Sequence, residues 1–197
     1  MNRRRWLVSG PPRTGGHLLL GILQSAGVLS LHTHNPRYRT KNDRLATLIR
    51  LRRRDIFSAL MSNCLVWHTG QSTCYSNAEV MPFTVSKNDF LMHYAGHVFY
   101  HTTNIQQQRF ATVTNLYFED FVNNNNFALT ELGITSAATT TQFTSRKCPY
   151  NYLNTIENHH ELRDYFNSLQ QQDITTLKIT NPYDRLAKPS KKKQIFT

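Results

Sequence analysis

Apolar positions along this chain fall in short runs broken by glycine-rich or polar stretches, and the spacing within the runs changes from one to the next. The run at 5–9 predicts a short buried strand, followed by a Pro/Gly turn at 10–16 and a helix over 17–26 that Gly27 stops. A second strand is expected at 45–51. Asp55 follows a basic run and is placed to cap a helix over 56–64 by accepting from its free N–H groups. The pattern is poor at 70–85 and reads as loop. Phe90, Leu91, Tyr94, Val98 and Ile105 recur at helical spacing and predict one long amphipathic helix over 87–107. A strand follows at 110–117. The four asparagines at 123–126 then form a polar turn before a short helix ending at Gly133. A Thr/Ala-rich connector spans 136–144, and a final helix over 156–169 sets Leu162, Tyr165, Phe166 and Leu169 on one side. Strands alternating with helices imply an α/β fold in three layers with a mostly parallel central sheet. The pattern is read as a single domain over 1–183 and a loose basic tail over 184–197.

Composition narrows the function classes. At 197 residues, 39% hydrophobic and 11% aromatic, the chain is too apolar for disorder and the right size for one core. It carries 23 Lys and Arg against 12 Asp and Glu, a formal charge of +11, so an anionic partner is expected. Cys64, Cys74 and Cys148 form no CxxC pair, and three thiols cannot all pair within one chain, so reduced cysteines are the simpler reading. Arg3, Arg4 and Arg5 precede the apolar stretch 18–31 and superficially resemble a leader. Pro11, Pro12, Arg13, Gly15, Gly16 and His17 intervene, however, and Gln24 interrupts the run. No stretch approaches the ~20 apolar residues of a membrane span. A cytoplasmic protein is expected.

The segment 8–19, Val-Ser-Gly-Pro-Pro-Arg-Thr-Gly-Gly-His-Leu-Leu, carries the most chemistry. A glycine-bearing turn between a strand and a helix N-terminus exposes backbone N–H groups where the helix dipole is positive, a nest suited to phosphate. Arg13 adds a forked charged donor and Thr14 a hydroxyl. The Walker A ending is absent, so Mg-nucleotide hydrolysis is not supported, and the dinucleotide GxGxxG spacing is absent too. An ordinary turn after a strand is the plainer alternative.

Residues 12–17, Pro-Arg-Thr-Gly-Gly-His, resemble the 5′-phosphosulfate loop of sulfotransferases that use 3′-phosphoadenosine 5′-phosphosulfate (PAPS), commonly Pro-Arg/Lys-Ser-Gly-Ser/Thr-Thr. Gly16 and His17 stand where that family usually has hydroxyl residues. The run 50–62, Arg-Leu-Arg-Arg-Arg-Asp-Ile-Phe-Ser-Ala-Leu-Met-Ser, resembles the family's 3′-phosphate segment, with Arg54 and Ser62 eight residues apart. A solvated basic strand end is the alternative there. Residues 116–122 with 127–134 resemble the family's Tyr-Glu-Asp-Leu … Leu-Gly-Ile segment, and 156–162 its late Ile-x-Asn-x-x-Glu-Leu helix. Lys147 sits where a late basic loop often reaches the 3′-phosphate. The resemblance touches 6–62 and 110–166 and implies a P-loop-like sulfotransferase architecture. It further implies PAPS as sulfuryl donor, PAP (adenosine 3′,5′-bisphosphate) as product, and no metal. Pro12, Arg13, Thr14, Gly15, Gly16, His17, Arg54, Ser62 and Lys147 are then the nucleotide-binding residues.

Such a transfer needs a base near neutral pKa for the acceptor proton. The resemblance places it in the stretch 31–38, Leu-His-Thr-His-Asn-Pro-Arg-Tyr, with His34 first and His32 second. Two exposed loop histidines without a role are the alternative. His93, His97 and His101 recur every four residues along one helix face, spacing that suits either a metal chelate or partly buried, acceptor-lining histidines; the flanking apolar residues favour the latter. The acceptor is a small molecule or glycan bearing a hydroxyl or amine. Two competing readings remain: a basic nucleic-acid-binding protein, which no recognised motif supports, and a sulfotransferase-fold chain without turnover.

Overall fold

The computed structural model describes residues 6–34, 47–70, 81–102, 110–135 and 152–172. Its centre is a run of short apolar strands: β1 (Trp6–Ser9), β2 (Ser30–Thr33), β3 (Thr47–Arg52) and β4 (Thr112–Tyr117). All four pair in parallel, in the order β2-β1-β3-β4. In β3, Leu48, Ile49 and Leu51 are fully buried, because a parallel sheet is covered on both faces and its central strands need little polar alternation.

The pleat divides the core. Val8, Ile49, Leu51 and Leu116 meet Leu19, Ile22 and Leu23 of α1 (Gly16–Ser25), together with Phe121 of α4 (Phe118–Phe121) and Ala128 of α5 (Asn125–Glu131). On the other face, Leu7 and Leu48 pack against Tyr100 of α3 (Lys87–Thr102). Helices therefore cover both faces, and the α/β class with a wholly parallel sheet follows. Beyond the second face, α2 (Ile56–Thr69) and α3 bury Phe57, Leu60, Met61, Phe90 and Tyr94 against Leu162 and Phe166 of α7 (His159–Gln170). Each such side chain, fully buried, contributes roughly 1.5–3 kcal/mol of transfer free energy.

Element by element, the expected order recurs with three differences, at β2, at the end of α2 and at the last helix. β2 was expected to be part of an apolar run and a loop; its sequence, Ser-Leu-His-Thr, has one apolar residue, and its strand character comes from pairing with β1 along Trp6–Ser9. Asp55 does cap α2, accepting from the Ser58 N–H at 3.0 Å, but the helix runs on to Thr69 and ends at Gly70, whose φ of 68° a side chain would oppose. Helix α3 is described to Thr102; the rest of the expected helix, through 107, lies outside the described residues. The helix expected from 156 is divided. The short α6 (Tyr152–Thr155) precedes Ile156, which bridges to Phe83, and α7 starts only at His159. Lys147, Arg3, Arg4, Arg5, Cys74, Cys148, the connector and the basic tail lie outside the described residues. No helix among the described residues is long and apolar enough to cross a membrane.

Candidate anion site

In an open parallel sheet, ligands bind beyond the carboxyl ends of the strands, where neighbouring connections diverge. Here that point is the β1–β3 junction, since β2 lies on one side of β1 and β3 on the other. The loop 10–15 leaves β1 at this junction and enters α1.

The loop is built tightly. Arg13 is the non-glycine residue at positive φ (66°) among those described, and Gly15 follows at 81° as the N-cap of α1. Two left-handed residues within three positions make a tight turn, the kind of backbone in which amides can gather as an anion nest. No side chain caps α1, and no acidic residue occupies its first turn, so its leading N–H groups and its dipole are left for an anion. A Cβ at Gly15 would collide with the Phe118 ring, and one at Gly16 would overlap His32 Nε2. Gly16, anomalous beside the hydroxyl residue the resemblance leads one to expect, is therefore explained by its neighbour: the His32 ring fills the space its side chain would need.

Polar groups from two other segments, α2 and the residues just past β3, reach this loop. Arg13 Nε donates to Ser62 Oγ on α2 at 2.8 Å. Arg53, just past β3, donates from Nη1 to the Arg13 carbonyl at 3.0 Å, and its guanidinium lies 4.6 Å above the Phe118 ring. Burial, and then the neighbouring Arg53 charge, lower the Arg13 pKa. Two guanidinium groups held this close favour a bound anion between or beside them.

Three histidines complete the rim. His17 is exposed on the first turn of α1, His32 lies 5.0 Å from it on β2, and His34 lies 4.4 Å beyond His32. His34 Nδ1 is 2.8 Å from the Gly10 carbonyl, which can only accept, so Nδ1 carries the proton and Nε2 keeps its lone pair. Burial lowers the His34 pKa, the Gly10 bond opposes the shift, and His17 and Arg13 reinforce it. His32 is pushed down to about 4 by burial, then by His34 and His17, and its Nε2 is buried without a partner.

The expected residues are thus partly assembled and partly not. Pro12, Arg13, Gly15, Gly16, His17, His34 and Ser62 belong to this loop and its surround. Thr14, expected to offer its hydroxyl to a ligand, is fully buried and donates to the Pro11 carbonyl at 2.7 Å, bracing the loop from within. Arg54, expected to close on one phosphate with Ser62, is committed elsewhere: it makes a two-pronged bond to Asp120 at 2.6 and 2.9 Å and stacks over Tyr117. Ser62 takes Arg13 instead, and Arg53 is the strand-end arginine that reaches the loop. Arg53 and Arg54 both lie past the end of β3 at Arg52, so strand alternation gives no signal that separates them. Glu119 and Asp120, which engage Arg53 at 3.5 Å and Arg54 at 2.6 Å, carried no signal either.

His93, His97 and His101 do not converge as a trio. His93 Nδ1 meets Asn63 Nδ2 at 3.0 Å, whereas His97 and His101 face each other with Nε2 atoms 3.1 Å apart. Among the described residues, no group of three or more metal-ligating side chains comes together. Cys64 is buried and its thiol is pushed up to about 12 by desolvation and then by Asp89, which makes it a core residue rather than a nucleophile.

No family model matches this chain, and neither the curated proteins nor the solved structures yield a match.

The donor set fits an anionic nucleotide end. The uncapped first turn of α1, the cradle at Gly15 and Gly16, and two guanidinium groups suit a phosphate or phosphosulfate.

Proposed function

We propose that this protein transfers a sulfuryl group from PAPS to an acceptor hydroxyl or amine, on a P-loop-like sulfotransferase architecture. One arrangement carries the reading. An uncapped glycine loop, the Arg53–Arg13–Ser62 relay and a histidine with its Nδ1 proton fixed to Gly10 meet at the β1–β3 junction.

PAPS supplies the activated sulfuryl group. The chain's own residues position and neutralise. The first-turn amides of α1 and the Arg13 guanidinium stabilise charge that develops on the leaving oxygens, a task that preorganised donors perform well where water is excluded. Arg53 holds the Arg13 carbonyl and so sets the loop's shape, while Ser62 fixes the direction of the guanidinium. His34 accepts the acceptor's proton at Nε2. Its lowered pKa keeps that nitrogen unprotonated at neutral pH, and its Gly10 bond aims the ring. His32 serves as a wedge under Gly16 rather than as the base, because its Nε2 is enclosed.

Thermal unfolding with adenosine 3′,5′-bisphosphate tests this reading. Saturating nucleotide, at about 100 times Kd, adds ~2.7 kcal/mol of stability to the wild-type chain. Arg13→Ala and Arg53→Ala each weaken binding by roughly 10- to 100-fold, the worth of a charge-assisted contact. His34→Gln retains nucleotide binding but loses transfer from labelled PAPS to a panel of glycans, lipids and phenols. No nucleotide-induced shift at high micromolar concentration would overturn the proposal.

A further inference from the structure

The α3 side of the sheet holds a second basic cluster that the loop does not use. By strand parity, Arg50 and Arg52 of β3 share the face of Leu48, the side covered by α3. Arg50 is 6% exposed, and the Nε atoms of both arginines are buried without a hydrogen-bond partner. Among the described residues no carboxylate pairs with either; Glu119 and Asp120 are taken by Arg53 and Arg54. From α3, His97 (5% exposed) and His101 present their Nε2 atoms to each other, and Tyr100 donates to Ser9 Oγ at the end of β1. A small cleft is lined by Pro11 and Pro12 of the loop and by Asn63, His93 and His97, so it borders one histidine of this cluster.

A buried guanidinium nitrogen without a partner is costly, and a bound counter-charge offsets that cost. The 3.1 Å between the two imidazole nitrogens would also suit a chelated cation, whose bonds to nitrogen are about 2.0–2.1 Å. The surrounding charge argues against it: Arg50 and Arg52 bear on His101, and Arg53 bears on His97. An anion is favoured by every one of these neighbours.

We infer that Arg50, Arg52, His97 and His101 form a second subsite that seats an oxyanion, the acidic group of an already anionic acceptor. The site itself stands on these four residues; assigning its anion to an acceptor rests on the sulfuryl-transfer reading. Guanidinium N–H groups supply forked contacts, and an arriving anion lets both imidazoles donate rather than share one proton between them.

Inorganic sulfate is the probe, with acetate as a second arm, followed through the imidazole NMR signals of the full chain. Sulfate at tens of millimolar shifts the His97 and His101 signals and raises the pH at which they titrate. Arg52→Gln and Arg50→Gln each weaken that response at least tenfold while leaving nucleotide binding unchanged, and Arg13→Ala leaves it intact. Acetate giving the same response assigns the site to carboxylates, whereas a response to sulfate alone assigns it to sulfate or phosphate esters; both support the subsite. Unmoved His97 and His101 signals in sulfate and in acetate, or a response that persists in Arg52→Gln, would overturn it. A chain that fails to bind adenosine 3′,5′-bisphosphate but still shows the sulfate response loses the sulfuryl-transfer reading and keeps the subsite.

Discussion

The basic run at 50–54 is continuous in sequence and divided in space. Arg53 and Arg54 face Glu119 and Asp120 at the start of α4, and the second pair is bidentate. Arg50 and Arg52, earlier in the same run, turn to the α3 side, where no described carboxylate pairs with them and they bear on the His101 imidazole, itself paired with His97. Two neighbouring pairs of like charges thus reach opposite solutions. One is neutralised by acids supplied from the chain, and its Arg53 is left to shape the loop; the other keeps its charge for something outside the chain. Net charge alone cannot distinguish them, but pairing can.

Acid sharpens this contrast most. His32 on the α1 side is pushed down to about 4, and on the α3 side His97 is pushed down to about 3 and His101 to about 4, with burial the leading cause in each. The unfolded chain protonates these groups near 6.5 while the folded chain does not, so the unfolded state binds more protons and stability falls as pH falls from about 6.5 toward 4. After discounting for partial solvent screening, each contributes about 1 kcal/mol of loss between pH 7 and 5, or ~3 kcal/mol together. The melting temperature, measured across that range, drops accordingly. His97→Gln combined with His101→Gln removes more of the pH dependence than His32→Gln does. Equal effects from the two sides would break the comparison.

The α1 side has its own steric signature. Gly16→Ser would restore the residue type expected from resemblance, yet its Cβ overlaps His32 Nε2. Overpacking of this kind costs about 1–3 kcal/mol, measured by denaturant unfolding. His32→Ala relieves it, so the double variant is more stable than the sum of the singles predicts. Additive losses would show that the ring and the glycine are independent.

How much of this was legible beforehand differs between fold and site. The strand–loop–helix opening, the Asp55 cap and the glycine stops follow from local chemistry, which is why they could be read from spacing. β2 could not, because a four-residue edge strand owes its form to pairing with β1 rather than to its own pattern. At the site, Arg13 and His34 were visible as residue types. The choice of Arg53 over Arg54 was not, because it depends on where α4 brings Asp120, 66 positions later. The packing of His32 against Gly16 likewise joins residues whose spacing carries no motif.

The smallest effect tests the neutralised pair directly. Arg54 is exposed, with a side chain 54% accessible, so its bond to Asp120 is a surface pair even though two prongs hold it. Its pKa is raised chiefly by that hydrogen bond, and the Asp120 pKa is lowered by the same contact. Exposed pairs of this kind contribute little to stability and weaken with salt. Asp120→Ala should therefore barely change the melting temperature and should leave Arg54 free to turn. If Arg54 is a bystander, nucleotide affinity in Asp120→Ala and in Arg54→Ala stays within about twofold of wild type, less than a single surface pair is worth. A marked gain in affinity for Asp120→Ala would instead mean that Asp120 competes with the nucleotide for Arg54. The division of the basic run would then be a switchable arrangement rather than a fixed one.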